Sequence, residues 1–244
     1  MEISNLMIEL TRKCNMKCKH CLRGTPQCVS LRREALKNIF ENVEYIGTLQ
    51  FTGGEPLLAL YQMRQIVDYL KWANIEIGYF WVKTNGTIFS KAFLKYLQEL
   101  QNRTNEPDMC CMEFSLDQYH NNKYKNVIHE YQNYEYEYTF IKASENLQSK
   151  YNKIYRIIKE GRAKRLRQYE VYEFDKPSFY DGWNADDYDT DNMIYVSANG
   201  NVMTDCNLSF NSIDKYSFGN IYRETLESIV DRNTKEEVKK IYAK

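Results

Sequence analysis

The chain has no surplus of either charge. Its Lys and Arg number 33 and its Asp and Glu number 33, for a formal net charge of zero over 244 residues. Nucleic-acid binding rests largely on cationic contacts to phosphate, so this balance disfavours an RNA or DNA partner. No acidic excess marks a solvating tail. Also absent is an apolar run of the roughly 20 residues needed to cross a bilayer as a helix, so no membrane role is expected. No basic and then apolar leader precedes the first strand pattern, so secretion is not expected either. Seven cysteines in a secreted chain would suggest disulfides with one left over. Without a leader they read as reduced thiols in a cytoplasmic protein. The remainder, 43% hydrophobic and 27% charged, is ordinary and sufficient for one domain with a small appendage. The 21 tyrosines are assigned no role.

The cysteines are unevenly spread. Cys14, Cys18 and Cys21 crowd one short loop directly after an alternating apolar pattern, Ile3, Leu6, Ile8 and Leu10. Thiolates are soft ligands, and clustered ones select iron–sulfur or zinc. Most iron–sulfur clusters take four protein cysteines. Three in a tight loop can hold a [4Fe-4S] cube and leave one iron open as a reaction site. The competing reading is a Cys3His zinc knuckle using His20. Two features weigh against it. His20 adjoins Cys21, and one short loop rarely aims both side chains at the same tetrahedral ion. Zinc modules also favour two separated ligand pairs, and no second pair follows.

Three further strand patterns follow, each ending in a polar motif. Ile46 to Thr52 runs into Gly53-Gly54-Glu55-Pro56, where glycines permit close backbone approach and proline suits a first helical turn. Ile75 to Lys83 ends in Thr84-Asn85-Gly86. Met112 to Leu116 carries Ser115 and ends in Asp117. Between them, apolar residues recur at helical spacing over 31–43 (Leu36, Ile39, Phe40, Val43), 57–72 (Leu58, Met63, Ile66, Val67, Leu70) and 89–100 (Phe93, Leu94, Leu97, Leu100). Such alternation predicts a parallel sheet with right-handed crossovers. Four motifs at the ends of four successive strands describe one barrel rim.

The loop Thr11-Arg-Lys-Cys-Asn-Met-Lys-Cys-Lys-His-Cys21, followed by Gly-Gly-Glu-Pro, resembles the radical S-adenosylmethionine (SAM) superfamily. The resemblance implies an α/β fold, a partial (βα)6 TIM-like barrel. It implies that Cys14, Cys18 and Cys21 bind a [4Fe-4S] cluster whose open iron takes the amine and carboxylate of SAM. Gly53, Gly54 and Glu55 would receive the SAM amino group, His20 would lie beside the adenine, and Ser115 and Asp117 would lie near ribose or substrate. Reductive cleavage of SAM would yield a 5′-deoxyadenosyl radical that abstracts hydrogen from a substrate. An external electron donor of flavodoxin or ferredoxin type would feed the cluster.

Beyond Asp117 the pattern blurs. Tyr134 to Ile141 reads as a fifth strand, Gln148 to Leu166 as a helix and Tyr169 to Phe174 as a sixth strand, which is short for two full units and leaves room for an abbreviated barrel. The acidic stretch Asp181 to Asn192 lacks the calcium-loop spacing and its closing glutamate, and reads as a linker. The expected organisation is a core over 1–180, a linker over 181–192 and an appendage over 193–244. In the appendage, Met193 to Ala198 and Asn201 to Cys206 flank Asn199-Gly200, a hairpin whose two-residue turn needs positive φ at both positions. Then come Phe218-Gly219-Asn220-Ile221 and a helix over 225–242.

This tail resembles the SPASM/Twitch extension of radical SAM peptide maturases, stripped of its cluster cysteines save Cys206. By that resemblance the substrate is a peptide or protein, modified by epimerisation, crosslinking or oxidation, and Cys206 is a candidate hydrogen-atom donor. Only one strand precedes Cys14, so recognition by a separate partner or directly of a short peptide is expected. Gly161-Arg162-Ala163, within the one concentrated basic run, also resembles the family, and Arg162 could pair bidentately with a carboxylate of SAM or substrate. Two alternatives stay open, radical modification of a nucleotide or tRNA, and a zinc- or cluster-bearing binding module without catalysis.

Overall fold

The computed structural model describes residues 1–116, 119–120, 125–144, 160–166 and 193–242. Asp117, the expected sixth strand, the linker 181–192 and most of the helix expected over 148–166 lie outside the described residues.

Four strands form the parallel half of the sheet: β1 (Glu2–Thr11), β2 (Tyr45–Gly53), β3 (Glu76–Thr84) and β4 (Cys111–Phe114). Helices α1 (Glu34–Phe40), α2 (Leu60–Ala73) and α3 (Lys91–Gln101) connect them. Each helix buries the apolar stripe that its spacing announces, such as Phe93, Leu94, Leu97 and Leu100 in α3. The Ser90 hydroxyl accepts from the Phe93 N–H and caps α3. Asn74 closes α2 in the left-handed conformation at φ 53°. Pro56 opens a short 3₁₀ turn, Pro56–Leu58, ahead of α2. At its C-terminal end β1 is buried without alternation, from Ile8 to Thr11, as expected of a strand flanked and covered on both faces.

The expected hairpin is present and joins the same sheet. β5 (Met193–Val196) pairs parallel with β1 on the edge opposite β2, and β6 (Asn201–Met203) returns antiparallel. β7 (Gly219–Asn220) completes the order β4-β3-β2-β1-β5-β6-β7. Among the described residues the sheet does not close, and the architecture is a partial TIM-like barrel. Among the described residues, α4 (Lys125–Gln132) follows β4 and packs Tyr131 on Phe114, while α5 (Phe210–Tyr216) and α6 (Leu226–Tyr242) follow the hairpin. One apolar core runs through both halves and joins Leu6, Ile8, Leu49 and Phe80 to Ile194, Val202, Ile221 and Ile229. No described helix is long and apolar enough to cross a membrane.

Two local expectations are corrected. Residues 134–141 do not form a strand. They are turns in which Ile141 alone bridges to Met112. Tyr131, Tyr134 and Tyr138 recur every three or four residues and pack on Phe89, Phe114 and Phe140, so their spacing serves a compact turn rather than strand alternation. The hairpin turn is also longer than expected. It spans Ser197 to Gly200, closed by the Gly200 N–H donating to the Ser197 carbonyl at 2.8 Å, and of Asn199 and Gly200 only the glycine has positive φ. Asn199 instead uses its side chain, accepting from the Ser197 hydroxyl and from Arg12.

Candidate active site

The ends of β1 to β4 are stitched together in order. From β2 the Gly54 N–H donates to the Thr11 carbonyl at 2.7 Å and the Glu55 N–H to the Lys13 carbonyl at 2.8 Å. A Cβ at Gly53 would lie 2.4 Å from the Thr11 oxygen, and one at Gly54 would lie 2.1 Å from the Lys13 oxygen. Only glycines allow this contact, so the pair seats the cysteine loop against β2. The buried Glu55 carboxylate then reaches across to β3. It accepts from the Thr84 hydroxyl at 2.6 Å, the Asn85 N–H at 2.9 Å and the Leu57 N–H at 3.1 Å. Burial pushes its pKa up and outweighs these donors. Finally the Ser115 N–H donates to the Thr84 carbonyl at 2.8 Å.

This stitching encloses a cavity of about 500 Å³. Cys14, Cys18, Cys21, His20, Gly53, Gly54, Glu55, Ser115, Arg162 and Cys206 all line it. Ten of the predicted site residues are thus gathered at one place, and Asp117 lies outside the described residues. Burial pushes the Cys14 thiol up, while the Met16 N–H donates to its sulfur at 3.4 Å and Asn85 Nδ2 approaches it at 3.9 Å. N–H donors of this kind suit a thiolate that ligates a cluster. Three soft thiol donors lining one cavity are a donor set that fits a [4Fe-4S] cluster.

Arg162 lines the cavity and also grips the cysteine loop. Its Nε donates to the Cys18 carbonyl at 2.8 Å and its backbone N–H to the Cys21 carbonyl at 2.9 Å. Gly161, at φ 53°, lies so close that a Cβ would sit 2.2 Å from the Leu22 oxygen. The Gly161–Arg165 turn therefore clamps the cysteine loop. His20 stacks on Tyr119 with centroids 4.5 Å apart and meets His120 edge-on at 5.2 Å. Burial raises the Cys206 thiol above its ordinary value against the opposing pull of Arg23.

Sequence reasoning missed a buried polar network behind the cavity. Arg12, 1% exposed, uses all five of its N–H donors. Nε reaches Glu9 at 2.9 Å, Nη1 reaches Gln27 at 3.0 Å and Asp214 at 3.2 Å, and Nη2 reaches Asn199 at 3.0 Å and Asp214 at 2.9 Å. Its guanidinium also lies 4.6 Å over the Phe210 ring. Glu9 accepts in addition from the Tyr195 hydroxyl and from the Ala198 N–H. Arg23 lies 4.8 Å over the Tyr195 ring and donates to the Leu208 carbonyl at 2.9 Å. One signal was available. Glu9 is an acidic residue inside an otherwise apolar strand, and such a residue requires a partner.

Residues 8–162 match the Radical SAM superfamily model, and the chain belongs to that superfamily. Its cofactors are accordingly a [4Fe-4S] cluster and SAM. Among curated proteins it is similar to two uncharacterized proteins of Methanocaldococcus jannaschii. With MJ0907 it is 29% identical over 103 residues, 40% of this chain and 36% of the relative. With MJ0804 it is 30% identical over 94 residues, 38% of this chain and 29% of the relative. The chain thus aligns with about a third of these relatives' length. Among solved structures it is similar to native anSMEcpe with bound AdoMet and Cp18Cys peptide. That likeness has a TM-score of 0.58 and 17% identity, and covers 97% of this chain and 81% of the other. It is a likeness of fold.

Proposed function

We propose that this radical SAM enzyme abstracts hydrogen from a peptide or protein and so epimerises, crosslinks or oxidises it. The observation that carries the reading is the convergence of Cys14, Cys18 and Cys21 with Gly54, Ser115 and Cys206 on one cavity. A solved structure of like fold over nearly the whole chain was obtained with a peptide bound, which supports a peptide substrate. A core over 1–180, a linker over 181–192 and a Twitch-like appendage over 193–244 belong to the same proposal, as does a cytoplasmic setting.

Cys14, Cys18 and Cys21 hold the cluster, and Gly53, Gly54, Glu55, His20, Ser115 and Asp117 position SAM. When bound, the two cofactors supply a 5′-deoxyadenosyl radical able to attack an unactivated C–H bond. The chain contributes position. Glu55 ties β2 to β3 beneath the cavity, and Arg162 fixes the carbonyls of two ligand cysteines. Of the four carboxylate lone-pair sites, Glu55 has committed three to Thr84, Asn85 and Leu57, which leaves one for the SAM ammonium. Cys206, its thiol raised by burial, stays an S–H group at neutral pH, the form that can give up a hydrogen atom.

Anaerobically reconstituted protein should carry about four irons and form 5′-deoxyadenosine under dithionite, and Cys14→Ala should lose both. Absence of SAM cleavage in the iron-loaded protein would sink the proposal. Offered deuterated peptides and deuterated RNA in separate reactions, the enzyme should move deuterium into 5′-deoxyadenosine from peptide. Transfer from RNA would overturn the substrate class.

A further inference from the structure

Two cavities meet beside the cysteine loop. The one that holds the three cysteines shares Arg23, Gly24, Arg162 and Phe210 with a second, of about 650 Å³, between the Gly161–Arg165 turn and α5. Two guanidinium groups therefore stand at the junction. Arg12 also borders the first cavity, but all of its donors are engaged. The junction pair differs. Arg23 is half-buried, with its Nη1 donating to the Leu208 carbonyl at 2.9 Å and its guanidinium carbon 4.8 Å from the Tyr195 ring centre. Its Nε and Nη2 form no hydrogen bond among the described residues. Arg162 gives its Nε to the Cys18 carbonyl, and both of its Nη groups are without a partner there. Neither arginine forms an ion pair with a described residue. Beyond the junction, exposed Lys164, Arg165 and Lys215 edge the second cavity. Its one described acidic side chain, Glu160, is committed to Lys164 at 3.4 Å and to the Ser212 hydroxyl at 3.2 Å.

We infer that the substrate is an acidic peptide, one of whose carboxylates sits between Arg23 and Arg162 while the chain beyond it runs through the second cavity. The inference rests on the peptide reading of the first cavity and adds what that peptide must carry. A guanidinium withdrawn from water needs a counter-charge, and its forked N–H donors match a carboxylate better than any other peptide group. The Tyr195 ring and the Leu208 carbonyl already hold Arg23, so little side-chain freedom is lost when the anion arrives. On the reading that the open iron takes the SAM carboxylate, both forks remain for the substrate. Gly24 lines both cavities, adds no side chain and leaves room for main chain to pass. An extended peptide advances about 3.3–3.6 Å per residue. An acidic residue held at the junction therefore delivers its chain neighbour to the cavity that holds Cys14, Cys18 and Cys21. Lys164, Arg165 and Lys215 favour further acidic residues on the other side.

The test follows the fluorescence anisotropy of two labelled heptapeptides, Ala-Gly-Glu-Ala-Glu-Gly-Ala and its twin with glutamine in place of both glutamates. Each is titrated with anaerobic, iron-loaded protein and SAM at about 0.02 M salt, where charges are little screened. Wild type should bind the acidic peptide roughly tenfold tighter than the twin. Arg23→Gln should erase that preference, and Lys164→Gln/Arg165→Gln should reduce it roughly threefold. Lys71→Gln/Lys95→Gln, on α2 and α3, should keep it. If Arg23→Gln takes up no iron, the Lys164→Gln/Arg165→Gln protein decides the matter alone. Equal binding of both peptides by wild type, or binding of neither, would overturn the inference. So would loss of SAM affinity in Arg23→Gln with the peptide preference intact, which would make Arg23 a cofactor ligand. Tighter binding of a heptauridylate than of the acidic peptide would overturn it too and make the junction a phosphate site. Wild-type protein that prefers the acidic peptide yet cleaves no SAM under dithionite would instead refute the proposed function and leave the acidic site standing.

Discussion

Replacing Arg12 with methionine keeps most of the side-chain volume and removes the charge that neutralises Glu9. The two side chains are 1% and 0% exposed, so the surviving carboxylate would stay buried without a cation. Breaking such a pair costs about 3–5 kcal/mol. Asp214 is 41% exposed, so water screens its share, which is about 0.2–1 kcal/mol. In a chain of this size each kcal/mol moves Tm by about 2–4 °C. Arg12→Met should therefore lower Tm by roughly 6–20 °C, and Asp214→Asn by no more than about 4 °C. Adding Glu9→Gln to Arg12→Met removes the stranded charge, so the double variant should melt above the single one. Thermal unfolding of the anaerobic loaded protein, followed by circular dichroism, measures all three. A drop below about 2 °C for Arg12→Met, or a double variant less stable than the single, would refute the reasoning that Glu9 depends on Arg12.

Gly54→Ala should fold but bind iron poorly, because its Cβ must displace the Lys13 carbonyl, 2.1 Å away, and with it the cysteine loop; iron content after reconstitution should drop severalfold. Burial alone would raise the Asp214 carboxyl, but hydrogen bonds from Arg12 and Asn199 hold it below the usual range. Its contribution is then present above the unfolded carboxyl pKa of about 3.9 and is lost as pH falls through the lower folded value. Asp214→Asn should accordingly flatten the loss of stability below about pH 4, read from urea midpoints across pH. Cys206→Ala should leave 5′-deoxyadenosine formation intact and abolish epimerised peptide; epimerised product at normal yield would remove Cys206 from the donor role.

The sequence was legible wherever local physics decides. Helices α1 to α3 and strands β1 to β4 rest on short-range periodicity, and each lies where that spacing put it. The gathering of the three cysteines, the glycine pair and Ser115 on one rim follows from placing motifs at successive strand ends. Less legible were roles set by distant partners. Glu55 lines the cavity as expected, but its three hydrogen bonds from Leu57, Thr84 and Asn85 are specified by no local pattern. Nor does any local pattern specify that the Arg162 Nε meets a backbone carbonyl 144 residues away in sequence. The tyrosines around 134 misled because their ring packing imitates a broken strand.

The pairing of β5 with β1 bears on how the molecule is made. A ribosome releases β1 and the cysteine loop early, but one edge of β1 stays bare until Met193–Val196 arrives. Arg12 likewise waits for Asn199 and Asp214, 187 and 202 positions downstream. An exposed strand edge invites pairing with other chains, so a product cut short before β5 should precipitate rather than mature. The buried Arg12 network is therefore completed only after synthesis has passed the hairpin and reached Asp214.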